Sequence, residues 1–159
     1  MATYPGSGQF TEPFRDALSR TMEEAQKLHH RQIGTSHLLI GILAVETTAG
    51  STIMRSMGVT LEVAMAALEG IPTEANLAQP DEVTDAVRQV LDFGTSNNRY
   101  ESDGSIGTEA LVLGLLESGD SPNPYDRAGS LLARLGVTPE KVEAELERRR
   151  RVSAERIDH

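Results

Sequence analysis

The sequence predicts an all-α fold built as a tandem repeat, on three observations. Hydrophobic residues make up 38% of the chain but aromatics only 4%, with no Trp, so the core is aliphatic and suits helix-on-helix packing. The stretch Gly34-Thr35-Ser36-His37-Leu38-Leu39-Ile40-Gly41-Ile42-Leu43 returns as Gly107-Thr108-Glu109-Ala110-Leu111-Val112-Leu113-Gly114-Leu115-Leu116. The register is regular as well: Thr84 stands 73 residues after Thr11, as Gly107-Thr108 does after Gly34-Thr35.

With 159 residues the chain fits one compact domain or two small halves sharing a core. Residues 1–9, with Pro5, Gly6, Ser7 and Gly8, read as a flexible leader. Phe14, Leu18, Met22, Ala25 and Leu28 then fall at helical spacing and predict a first helix over 12–30. Thr35 is the expected cap of a second helix over 36–47, apolar almost all round and so a central core helix. A short third helix opens at Gly50-Ser51, and Gly58 suits its C′ position. Thr60 caps a fourth over 61–69, stopped by Gly70-Ile71-Pro72. The resulting division is a leader 1–9, repeat one 10–70, a linker 71–82, repeat two 83–148 and a polar tail 149–159.

In repeat two, Gly94-Thr95-Ser96-Asn97-Asn98 replaces good helix formers, so the opening helix is expected to fray or end early and residues 94–105 to be mobile. Leu135-Gly136-Val137-Thr138 answers Met57-Gly58-Val59-Thr60 at an offset of 78, which places a five-residue insertion in the loop around 119–124. Thr138 and Pro139 start the last helix, with Val142 and Leu146 as core anchors.

The net charge of −9 argues against a general nucleic-acid binder. Zero cysteines exclude disulfides, thiolate metal sites and a Cys nucleophile. Neither a signal sequence nor a run of transmembrane length is found, and a cytoplasmic location is the expectation. No Gly-x-x-x-x-Gly-Lys-Ser/Thr motif is present, which excludes ATP hydrolysis by this chain.

The doubled set of Phe10-Thr11, Ile33-Gly34-Thr35-Ser36-His37-Leu38-Leu39, Gly41-Ile42-Leu43 and Gly58-Val59-Thr60 resembles the amino-terminal domain of the Clp ATPases, nearest the ClpC type, from about Phe10 to about Leu146 and without the ATPase modules. The resemblance implies two four-helix repeats packed as a pseudo-twofold eight-helix domain. It also implies a non-enzymatic binding module with neither cofactor nor metal. Its partners would be Clp ATPase or protease components, adaptors or substrate proteins, with no nucleic acid and no membrane. The leader and polar tail suit a free-standing accessory protein, which would engage substrates or adaptors or sequester ligands of the full-length ATPase.

ClpC-type domains receive proteins phosphorylated on arginine, through a Thr at the start of each repeat's first helix and the Glu of Gly-Thr-Glu. The resemblance therefore assigns Thr84 and Glu109 to a ligand site in repeat two, and Thr11 with Ser36 to a degenerate site in repeat one, where the acid is missing. The residues by themselves also read as helix caps and a first-turn acid. Relatives that bind cyclic peptide antibiotics use phenylalanines near the repeat starts. Here Phe10 keeps the first of those places while Val83 replaces the phenylalanine of the second, and a small-molecule-binding resistance or sensor protein is the alternative.

Other candidates favour structural roles. Adjacent His29 and His30 point to different faces and, with His37, read as surface or capping residues before metal ligands. Ser36-His37 is no nucleophile and base, because sequence neighbours at a helix start do not meet in that geometry. Met54, Met57 and Met65 fit core filling better than a soft groove. Arg148 to Arg151 follow acidic residues, with Glu145–Arg149 and Glu147–Arg151 as i,i+4 pairs on a solvated helix end.

Overall fold

A computed structural model of the chain describes residues 11–46, 48–71, 73–74, 80, 82–96, 107–118 and 121–157. The element order is α1 (Glu12–Lys27), β1 (Gln32–Ile33), α2 (Thr35–Ala44), α3 (Ala49–Ser56), α4 (Leu61–Ala66), β2 (Glu82–Val83), α5 (Asp85–Ser96), α6 (Thr108–Ser118), α7 (Ala128–Arg134) and α8 (Pro139–Ile157). The expected all-α double repeat is present, four helices to each copy.

Thr11 caps α1 by accepting the Phe14 N–H at 3.2 Å. The helix buries Phe14, Ala17, Thr21 and Ala25, whereas Met22, expected on that face, is 56% exposed. It stops at Lys27 because His29 turns into the left-handed region at φ 55°. The His29 and His30 amides then close back on Gln26 and Ala25 carbonyls, a Schellman ending made without glycine.

The central helix α2 is buried from Thr35 through Leu43. Its single glycine is a packing device: a Cβ on Gly41 would stand 2.5 Å from the Ala17 carbonyl oxygen. In repeat two, a Cβ on Gly114 would stand 2.9 Å from the Val90 carbonyl oxygen. Each glycine lets the second helix of its repeat lie against the backbone of the first, and both pairs run antiparallel.

The cap expected at Thr35 is not there. Gly34 is the N-cap of α2, and the Thr35 hydroxyl instead accepts the Ala128 N–H of α7 at 3.3 Å. The Thr108 hydroxyl does the same for Gly50 of α3, at 2.8 Å. The two bonds are pseudo-twofold mates, and in each the threonine of one repeat holds the third helix of the other. This exchange, together with packing among α2, α3, α6 and α7, joins the repeats into one core.

Thr60 and Thr138 cap α4 and α8 as expected, accepting from Val63 and Lys141. Gly58 has φ 86° at the end of α3. Met54 is fully buried while Met57 and Met65 pack on the core, so the methionines fill it. α4 gives way to turns after Ala66, earlier than expected. α5 continues through Gly94, Thr95 and Ser96, and residues 97–105, the rest of the stretch expected to be mobile, lie outside the described residues. α8 buries Val142 and Leu146 and remains helical to Ile157, through most of the expected tail. Glu145 pairs with Arg149 at 3.1 Å and with Arg148 at 2.6 Å.

Candidate functional site

Two-residue β1 and β2 pair in parallel, Gln32 with Glu82 and Ile33 with Val83. They are too short for period-two patterning to announce them, yet they decide the site, because they set the start of α5 beside the start of α2. The Thr84 N–H donates to the Ile33 carbonyl at 3.0 Å. Thr84 does cap its helix, accepting from the Val87 N–H, but its own proton goes to Asp126 Oδ1 at 2.7 Å. The same oxygen accepts the Thr35 N–H at 2.9 Å.

Residues 123–128 are clamped over this end. The Ser36 N–H donates to the Tyr125 carbonyl at 3.1 Å, the Arg127 N–H to Ser36 Oγ at 3.1 Å, and Asn123 to the Gln32 side chain at 3.0 Å. Ser36 is 1% exposed. A glutamate there would bury a second carboxylate beside Asp126, and its longer side chain has no room where Ser36 is 1% exposed beneath the loop, which accounts for the missing acid in repeat one.

Neither predicted residue pair meets. In the α5–α6 pair Gly114 lies against Val90, and Ser118 at the end of α6 shares a cleft with Thr84. Thr84 and Glu109 thus lie at opposite ends, roughly 16 Å apart along the axis from the rise per residue. Thr11 and Ser36 are separated in the same way by the antiparallel α1–α2 pair. Thr84 instead meets the Gly34-Thr35-Ser36 end of the other repeat. Glu109 is half-buried in the first turn of α6, and Phe10 lies outside the described residues.

Beneath Tyr125 is a cluster that composition alone did not reveal. The Gly34 N–H donates to His37 Nδ1 at 3.0 Å, which puts the His37 proton on Nε2, facing His30 Nδ1 at 2.8 Å. The Tyr125 ring packs on both imidazoles, at centroid distances of 5.4 and 5.8 Å. His37 is therefore a capping residue as expected, but His30 is buried rather than at the surface. Among the described residues no group of three His, Asp or Glu is placed to hold a metal ion.

This arrangement requires both rings neutral. Burial lowers the pKa of His30; burial and then the adjacent His30 lower that of His37 to about 3. Between pH 6.5 and about 3 the unfolded chain takes up a proton at His37 that the folded one refuses, so acidification favours unfolding. The expected loss from His37 is about 1.4 kcal/mol per pH unit below 6.5. Urea midpoints at pH 7 and pH 5 would measure it. His37→Gln is expected to be less stable at pH 7 but to lose less on acidification than the parent; equal losses would contradict the buried neutral pair.

Two clefts adjoin these elements. One of about 440 Å³ opens beside Thr84, with Glu82, Asp85 and Asp126 against Arg88, the single cation among its described lining residues, itself bonded to Asp85 at 2.8 Å. The other, about 230 Å³ and largely apolar, lies between α1 and α5 and is lined by Leu18, Met22, Val83, Val87 and Leu91. No single helix among the described residues is long and apolar enough to cross a membrane.

The profile of the Clp repeat (R) N-terminal domain matches residues 9–125. The chain belongs to this family. A ClpA homolog of the ATP-dependent Clp protease ATP-binding subunit from Cyanidium caldarium is 30% identical over 140 residues, covering 87% of this chain and 16% of that protein. Chloroplastic chaperone protein ClpC1 of Arabidopsis thaliana is 28% identical over 140 residues, covering 87% and 14%. The chain thus spans about one-sixth of the length of these curated relatives. Among solved structures, the Hsp104 N-terminal domain of Candida albicans superposes with a TM-score of 0.68 at 14% identity, over 87% of this chain and 89% of that one. The N-terminal domain of ClpD from Arabidopsis thaliana gives 0.65 at 21% identity, over 89% and 97%. The Clp repeat fold expected from the doubled motif is therefore established.

No local motif marks Asp126 or Tyr125 as members of this end of the Clp repeat domain. The available signal was the five-residue insertion in repeat two, whose loop leads into both residues.

Proposed function

We propose that this Clp repeat domain is a non-enzymatic protein- or peptide-binding module of a cytoplasmic Clp chaperone-protease system, engaging substrates or adaptors, or sequestering ligands of a full-length ATPase. Arginine-phosphorylated proteins are the substrate class, received at the start of α6 by Glu109. The observation that carries the choice of residue is the contrast between Ser36, sealed beneath residues 123–128, and its mate Glu109, half-buried at a helix start. A carboxylate there pairs a guanidinium, while first-turn amides suit the phosphoryl group.

The partner hydroxyl is Thr11 rather than Thr84. Thr84 meets the start of α2, and the twofold relation carried by the Thr35–Ala128 and Thr108–Gly50 bonds supports Thr11 as its counterpart beside Glu109. Calorimetric titration with phosphoarginine tests the pairing. Binding is expected to weaken at least about tenfold in both Glu109→Ala and Thr11→Val, as expected for a lost charge-assisted contact, and to survive in Thr84→Val. Loss in Thr84→Val with retention in Thr11→Val would overturn the assignment.

The apolar cleft that includes Val83 favours a second reading, a resistance or sensor protein that binds cyclic peptides between the repeats. A melting shift with macrocycles that is absent with phosphoarginine would support it over the first.

A further inference from the structure

We infer that Asp126 is a built-in anionic ligand that closes the Thr84 end of the domain to phosphorylated and other anionic ligands. Three donors converge at this end: the Thr35 N–H at the first position of α2, the Ser36 N–H at the second, and the Thr84 hydroxyl. A phosphate entering at a helix start would use such groups. All three are taken by consecutive residues of one loop. Asp126 Oδ1 accepts from Thr35 at 2.9 Å and Thr84 at 2.7 Å, and the Tyr125 carbonyl accepts from Ser36 at 3.1 Å.

The carboxylate is seated as a captured anion would be, and Asp126 is 4% exposed. Outside it, Glu82 and Asp85 add negative charge to the adjoining cleft, and Arg88 is spent on Asp85. A second anion meets repulsion as well as an occupied seat.

The device belongs to one end only. The residue equivalent to Asp126 in repeat one is Thr48, at the offset of 78 that relates the two loops. Its hydroxyl is used locally, accepting from the Ser51 N–H and donating to the Val45 carbonyl. Thr48 therefore sends no carboxylate across to α6. The loop preceding Asp126 is also the one lengthened by five residues in repeat two.

Emptying the seat should make it available to an external anion. Asp126→Ala and Asp126→Ser are expected to melt below the parent, and millimolar inorganic phosphate is expected to raise their Tm by about 3 °C more than it raises the parent's, as mass action requires of a ligand near tenfold above its Kd. Asp126→Asn keeps the acceptor in place and is expected to gain no such phosphate response. In amide NMR spectra the phosphate-induced shifts of the Ala variant should centre on Thr35, Ser36 and Thr84. The inference is overturned if phosphate stabilises neither shortened variant beyond the parent, or fails to restore folding to a variant that has lost it. It is also overturned if the parent itself binds phosphate at Thr35 and Thr84. It fails separately from the Glu109 assignment, which is read at the opposite end of α6.

Discussion

Gly34→Ala is expected to lower the thermal midpoint by roughly 6–12 °C, on an overpacking cost of about 3 kcal/mol. The backbone of Gly34 is extended, at φ −114° and ψ −178°, so conformational strain is not the cause. A Cβ would stand 2.1 Å from the Tyr125 carbonyl oxygen and 2.5 Å from its carbon. Both are backbone atoms, and no side-chain rotation relieves the overlap. Residues 123–128 would have to lift from α2, breaking the bonds of Thr35 to Asp126 and Ala128 and of Ser36 to Tyr125 and Arg127 together. Gly58→Ala is the control: a Cβ there meets nothing within 4 Å but requires φ 86°, which costs about 1 kcal/mol. Calorimetric melts of both variants would check the order, and a Gly34→Ala loss no larger than that of Gly58→Ala would contradict the clamped loop.

Ser36→Glu, which makes repeat one match the Gly-Thr-Glu of repeat two, is expected to cost about 3–5 kcal/mol rather than to create a second ligand site. The position is 1% exposed, its hydroxyl accepts the Arg127 N–H, and the Asp126 carboxylate is already bonded to the preceding residue. A second carboxylate would be buried against a like charge, and the longer side chain would displace the loop. Equilibrium urea unfolding measures the loss. Should the variant keep the parent's stability and bind a second equivalent of phosphoarginine, residues 123–128 would have to be a readily displaced cover instead of part of the core.

These two sites show where sequence reasoning succeeds. The 73-residue register, the apolar run of α2, the threonine caps at Thr11, Thr60 and Thr138 and the glycine at 58 are local or periodic features, and the folded chain keeps each of them. Thr35 is the exception among the caps. A Ser, Thr or Asp before an apolar run bonds its own helix unless another donor is nearer, and here the Ala128 N–H comes from 93 residues away. Likewise Met22 fits the α1 stripe by spacing and still faces out, since a stripe wider than its partner leaves its margin exposed.

The sequence by itself determined that this is an all-α double repeat, because helix periodicity, capping and the repeat register are properties of neighbouring residues, and the resemblance of its doubled motif pointed to the Clp type. Only the tertiary structure decided which halves of the two motifs face one another. The antiparallel helices of each repeat carry Thr84 away from Glu109, and Thr11 away from Ser36, while the pseudo-twofold exchange sets Thr84 at the start of α2. It also decided that a carboxylate from the loop after the inserted segment fills that end, since contacts between residues 42 and 91 positions apart leave no periodic trace in the chain.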